Sequence, residues 1–253
     1  FLAEKLGTKI MPLTKVVNIE QVSGGYKLTL IQSDKLFPKK QQIVVPEVVV
    51  AAGALGSAKL LHSVRAKGNL LGISPKLGEL SRTNSESLLG VVAKGKETDF
   101  TSGSAITSSV FPDEDTHIEP VRYGKGSGFM GLLQSVVASG PKGQSPNIFR
   151  LLWVTLKNLP KLPNFYNLRT WPERTLILLV MQSRDNSLTT FWKRGLTSKQ
   201  GHGEKNPAWV PMGHTVARAI AEDVNGTAGA VVGEPFGIPP VSYTHLRAHE
   251  TPE

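Results

Sequence analysis

Cysteine is absent from this 253-residue chain, aromatic residues make up only 7% of it and charged residues 19%. Without a thiol there is no disulfide, no thiolate nucleophile and no cysteine-held zinc, and the redox compartment stays undecided. No apolar run approaches the roughly 20 residues of a membrane-crossing helix. The longest, Val48–Ala52 and Leu176–Met181, are strand-sized. A full G-x-G-x-x-G after a strand, a P-loop and a G-x-S-x-G nucleophile elbow are all missing. The histidines are His62, His117, His202, His214, His245 and His249, and no pair has zinc-protease spacing, so no metal site is expected.

What the chain does have is 40% hydrophobic residues, enough for a packed core, on a length that suits one large domain or two ordinary ones. Lys and Arg number 29 against 20 Asp and Glu, a formal charge of +9. The excess is scattered, as at Lys39-Lys40, Lys94/Lys96 and Lys193-Arg194. It reads as a solvated face of a soluble protein, cytoplasmic or secreted, rather than a nucleic-acid or membrane surface. The first residue is Phe1, so the natural start is expected upstream.

Along the chain, Thr14–Val22 and Tyr26–Gln32 flank Ser23-Gly24-Gly25 and predict a hairpin. Gln42–Val50 is a further extended segment broken by Pro46, and Val48–Ala52 reads as a strand covered on both faces. Gly53-Ala54-Leu55-Gly56 then forms a turn of small residues, and a helix over 57–67 follows, with Ser57 as N-cap and Gly68-Asn69 as its end. Strands are expected at Ala105–Phe111 and Thr175–Gln182. Helices are expected at Ile148–Leu159, with Leu151, Leu152, Val154 and Thr155 on one buried side, and at Met212–Val224.

Three constellations could carry chemistry. The turn at 53–56 lets a ligand approach bare backbone beside a helix N-terminus. Arg82-Thr83-Asn84-Ser85-Glu86 is a polar run between apolar segments, either an exposed loop or helix cap or a polar cluster beside a ring system. His117-Ile118-Glu119-Pro120-Val121-Arg122 sets an acid beside cations, either an exposed surface pair or a carboxylate able to act as a base in an apolar cavity.

Val48 to Leu61, read as VVVAAGALGSAKLL, resembles the flavin-domain segment of the glucose–methanol–choline oxidoreductases. LGELSRTNSE from Leu77, IEPVRYGKGS from Ile118, and Asn225-Gly226-Thr227-Ala228-Gly229 with Glu234-Pro235-Phe236 are similar to its cholesterol-oxidase-like branch. The resemblance covers about residues 1–240. It implies an α/β (α+β overall) fold, with a partial Rossmann-like FAD-binding domain at 1–91, an antiparallel-sheet substrate domain at 92–200 and a return toward the FAD domain at 201–241. It implies FAD-dependent oxidation of a small-molecule alcohol, a sterol foremost, by hydride transfer to flavin, with oxygen or another electron acceptor. Carried over by motif, Gly53, Ala54 and Gly56 would lie by the FAD diphosphate and ribose, and Val16 and Val17 by the adenine. Asn84, Ser85 and Glu86 would approach the flavin ring, and Glu119 would be the carboxylate near substrate. Apolar residues such as Phe129, Phe149, Trp153 and Phe165 are expected to pack mostly in the core, with some lining the substrate cavity.

The family's N-terminal glycine turn and its catalytic-histidine segment have no match in this chain, so the chain is expected to be an inactive fragment. The tail at 242–253 resembles translated sequencing-adapter read-through, which makes His245 a decoy. The alternatives are a dehydrogenase of the same family using an acceptor other than oxygen, and a non-enzymatic basic α/β binding domain.

Overall fold

The computed structural model describes residues 2–95, 97–139 and 144–238. They form two compact units. One holds the residues up to Ser81 together with Leu188–His202, and the other holds Arg82–Ser187 and the described residues from Gly203 onward. The fold is mixed α/β, and its two larger sheets are antiparallel throughout.

In the first unit a short helix, α1 (Leu2–Lys5), precedes β1 (Thr14–Val22), β2 (Gly25–Gln32) and β3 (Gln41–Val45), which lie in the order β1-β2-β3. The hairpin closes where its glycines predict, with Val22 opposite Gly25. The register slips between Val16 and Asn18, which leaves Val17 outside the ladder as a bulge. Ile19, Leu28 and Leu30 pack on Val64 of α2 (Gly53–Ala66) to make the core of this unit. The helix ends at Gly68, whose φ of +72° glycine tolerates best. Its N–H donates to Arg65 O at 2.9 Å, and that of Asn69 to Val64 O at 3.2 Å, which satisfies two of the last carbonyls. Asn69 also donates from Nδ2 to Asn18 Oδ1 at 2.9 Å, tying the helix end to β1.

Two expectations fail beside that helix. Residues 48–52 are not a strand, and Val49 is 92% exposed. A strand covered on both faces needs paired neighbours and a layer on each side, and no strand of the described residues pairs with this segment. Nor is Ser57 the N-cap. Gly53, at φ +67°, turns the chain straight into the helix four residues earlier, and Ser57 Oγ accepts the Ala52 N–H at 3.1 Å from inside the first turns.

The second unit is built on β4 (Ser87–Val92), β5 (Thr116–Val121), β6 (Gln134–Val136) and β7 (Thr175–Gln182). The chain then passes through a separate two-stranded ribbon, β8 (Asn186–Trp192) and β9 (Leu196–Gly203), before β10 (Thr227–Val231). The sheet order is β5-β7-β4-β10-β6. Cross-strand rows assign its faces, because paired residues point the same way and neighbours alternate. Ile118, Val180 and Ser87 form one row, and Leu178 and Leu89 lie on the same side of the sheet. This face is buried under α6 (Pro211–Asp223) through Ala217 and Ala221. Gly213 lets the helix come close, since a Cβ there would meet Val180 Cγ2 at 2.7 Å.

The opposite face carries the row Glu119, Leu179 and Leu88. One end of it, at Val92, Val136 and Gly229, is covered by α3 (Ile148–Lys157) and α4 (Leu162–Phe165). Phe165 is buried over Gly229, where an added Cβ would come within 2.9 Å of its ring. A one-turn helix, α5 (Trp171–Arg174), leads into β7. Asn147 caps α3 by accepting the Arg150 N–H at 2.9 Å.

On α3, Leu151 and Val154 face the core. Leu152, Phe149 and Trp153, expected inside, are exposed, because the 3.6-residue period sets them on the opposite side. The strand expected at Ala105–Phe111 is reduced to isolated bridges of Ile106 with Val121 and Val110 with Ile118. It lies on the outer edge of the sheet, and Thr107 there accepts from the Arg122 guanidinium at 3.2 Å. The tail at 242–253, with His245 and His249, lies outside the described residues, as do residues 239–241.

His62 of α2 is buried and bonded through Nε2 to Thr190 Oγ1 at 3.1 Å. Burial, and secondarily Arg65, hold its pKa below the ordinary 6.5. A lowered folded value means that the unfolded chain takes up the proton first. The first unit therefore loses stability as pH falls through about 6.5. Urea melts across that range should show the loss, and His62→Gln should flatten the profile.

Candidate active site

The candidate site residues fall into two groups. Val16, Val17, Gly53, Ala54 and Gly56 lie in the first unit, and Asn84, Ser85, Glu86 and Glu119 in the second. Val16 packs against the core of its unit, and Val17 is the bulge residue of β1.

In the first unit residues 53–56 are the first turn of α2, and the chain is open at Gly53. A Cβ placed on Gly53 would meet nothing within 4 Å. No side chain caps the first turn of α2, and no acidic residue lies in it. The first amides of a helix have no partner within it, and the axial dipole leaves them slightly positive. A phosphate or ribose oxygen could therefore reach backbone N–H groups here without displacing a side chain, so the turn fits a nucleotide.

In the second unit the run 82–86 is neither an exposed loop nor a helix cap. It is a tightly bonded lead-in to β4, and Ser85 and Glu86 are buried. Ser85 sits at φ +46°, a conformation that costs a residue with a Cβ and persists only where neighbours hold it. They do so from several sides. Asn186 Nδ2 donates to Ser85 Oγ at 2.9 Å, Asn84 Nδ2 donates to Glu86 Oε2 at 2.8 Å, and Arg82 pairs with Asp185 at 2.5 Å. Polar groups are thereby fixed at the start of the central strand.

Two strands away, Glu119 stands on the incompletely covered face of the sheet, half-buried in the row with Leu179 and Leu88. His117 is on the same side, stacked on Phe111 with centroids 4.5 Å apart. Its Nε2 lies 3.6 Å from Glu119 Oε1, beyond hydrogen-bond reach. This face thus presents a carboxylate and an imidazole among leucines, and at Gly90 it gives room to the Gln134 side chain, whose Oε1 would lie 3.5 Å from an added Cβ.

A further polar cluster carries no role in the sequence reading. His214 Nδ1 lies 2.6 Å from Ser139 Oγ, and its Nε2 lies 2.9 Å from Glu234 Oε2. Ser87 Oγ reaches the same carboxylate at 3.4 Å, and Arg218 donates to Ser139 O at 2.9 Å. His214 and Glu234 are both almost wholly buried. Burial holds the Arg218 guanidinium below its ordinary range, and Glu234 partly offsets this. The available signal was a histidine adjoining the Ala217/Ala221 stripe of α6 and a glutamate within the Glu234-Pro235-Phe236 motif. Among the described residues no group of three or more His, Asp or Glu is arranged to hold a metal ion, and no helix is long and apolar enough to cross a membrane.

No family model matches the chain. It is similar to a protein named cholesterol oxidase from Mycobacterium tuberculosis (strain H37Rv), 44% identical over 251 residues, and equally to its counterpart in strain CDC 1551 / Oshkosh. That alignment covers 94% of this chain and 43% of the relative. A protein named cholesterol oxidase from Acinetobacter baumannii is 35% identical over 239 residues, 89% of this chain and 43% of that protein. The chain spans less than half the length of these relatives.

The buried pair makes a definite prediction. His214→Leu strands the Glu234 carboxylate and should cost the second unit about 3–5 kcal/mol in chemical denaturation. The double variant with Glu234→Leu should recover part of that loss, because both partners of the pair are then gone.

Proposed function

We propose that the chain is a segment of an FAD-dependent oxidoreductase that oxidises the hydroxyl of a sterol. The observation that carries this reading is the half-open sheet face of the second unit, where leucines surround a small set of polar side chains that includes Glu119, His117 and Gln134. A sterol is a large apolar body with one hydroxyl, so it suits a surface of leucines with few polar groups. The similarity to proteins named cholesterol oxidase supports the same substrate class.

In this reading the 53–56 turn and the first amides of α2 hold the nucleotide's phosphate and ribose, with Val16 and Val17 offering backbone to the adenine. Of the three residues Asn84, Ser85 and Glu86, the half-buried Asn84 would present polar groups to the flavin ring, and the buried Ser85 and Glu86 would hold this segment in place. Their rigid bonding means that they need not reorganise on binding. Bound FAD would supply the acceptor for the hydride leaving the carbinol carbon. Glu119 takes the hydroxyl proton as the C=O bond forms, and the leucines around it orient the substrate and exclude water.

The test is steady-state sterol oxidation by the full-length protein supplied with FAD. Glu119→Gln should lower kcat about 10²–10⁴-fold, the range typical of a lost general base, with flavin content unchanged. An unchanged kcat would remove Glu119 from the mechanism. Peroxide release measured beside dye reduction separates oxygen from another acceptor. No sterol turnover by either readout would overturn the substrate assignment.

A further inference from the structure

His117 and Glu119 stand two residues apart on β5, so their side chains leave the same face of the sheet. His117 Nε2 is buried and has no hydrogen-bond partner among the described residues. A buried nitrogen in that state is costly, and native proteins rarely leave one unpaired. The cross-strand neighbours, Met181 opposite His117 and Leu179 opposite Glu119, supply no strong acceptor. A carboxylate oxygen does stand near, Glu119 Oε1 at 3.6 Å.

The two side chains differ in freedom. The imidazole lies flat on Phe111, with ring centroids 4.5 Å apart and planes 2° from parallel. Phe111 is in turn held beside β5 by its neighbour Val110, whose backbone exchanges hydrogen bonds of 2.9 and 2.8 Å with Ile118. The stack resists any swing of the ring away from the carboxylate. Glu119 has the longer and more flexible side chain, and it is 26% exposed. A shift of about 0.5 Å brings its Oε1 within ordinary N–H···O range. Hydrogen bonds of this kind are often long before substrate binds and tighten in the complex.

We infer that His117 is a positioning residue, whose Nε2–H donates to Glu119 Oε1 and thereby aims Oε2 at the sterol hydroxyl. The inference rests on the proposed role of Glu119 and deepens it. A carboxylate that rotates freely is seldom aligned for proton transfer, and alignment is a large part of what a protein contributes to such a step. With one oxygen held by an N–H, the other has a fixed direction. The arrangement also sets the tautomer, with the proton on Nε2 and the lone pair on Nδ1. Burial of Nε2 keeps water from competing for the bond. During turnover the hydroxyl O–H bond breaks and an Oε2–H bond forms, while His117 neither gains nor loses a proton.

The experiment uses the full-length protein with FAD and cholesterol as the probe substrate. His117→Phe keeps a ring on Phe111 but removes the donor, and should lower kcat about 10–100-fold with KM little changed, because alignment and not binding is lost. His117→Gln gives up the ring but restores an N–H donor, and should recover most of that kcat. A role confined to packing predicts the reverse order, with Phe tolerated and Gln harmful. Adding His117→Phe to Glu119→Gln should lower kcat no further than Glu119→Gln alone, since the imidazole acts through the carboxylate. Nitrogen NMR of the histidine side chains, assigned with His117→Phe, needs no turnover. It should show a proton on His117 Nε2 and a signal that moves in Glu119→Gln. Unchanged kcat in His117→Phe, additive losses in the double variant, or a bare Nε2 would each overturn the inference and leave the sterol reading standing. Absence of sterol oxidation by the wild-type protein would overturn that reading and the positioning role with it.

Discussion

A sheet has two faces, and in the second unit a single helix can bury only one of them. Packing α6 on the Leu89, Ile118, Leu178 and Val180 side makes the core. The other side is left to α3 and α4, which reach only the end at Val92, Val136 and Phe165. The rest of that side, with Leu88, Leu179 and Glu119, stays half-open. The unit is thus held together by the face it closes and leaves Glu119 on the face it does not.

The same division governs the polar groups. His214, Glu234 and Ser139 sit in the buried layer, where each lost partner is costly and geometry is rigid. Glu119 sits on the half-open side, beside His117, whose ring stacks on Phe111 and whose Nε2 is buried. Ser85, held at positive φ by Asn186, anchors the start of β4 between these regions, and its neighbours Asn84 and Glu86 are fixed with it.

Much of this was legible in the residues. The glycine pair after Val22 marked the hairpin, the β-rich run Thr175–Gln182 is β7, and the apolar spacing from Met212 gave α6 to within a residue at each end. What local pattern could not supply was partners. Val48–Val50 reads as a buried strand only if neighbours are assumed, and none of the described residues provides one. The apolar spacing on α3 marked a helix but could not say which of its two apolar stripes faces the core. The His214–Glu234 contact joins residues twenty apart through the fold, and no spacing rule announces it. The free space at Gly53 follows from its missing side chain, a local property, whereas residues 53–56 are the first turn of α2 rather than a turn before it.

The proposed function requires the sterol to lie on the half-open face of the second unit. Photocrosslinking measures that most directly: the protein is irradiated with FAD and a diazirine-bearing sterol, and the labelled peptides are mapped by mass spectrometry. Labels within residues 87–92, 116–121 and 175–182, removed by excess cholesterol, are the expected result. Labels confined to α6 or α3, or labels that cholesterol does not displace, would contradict it.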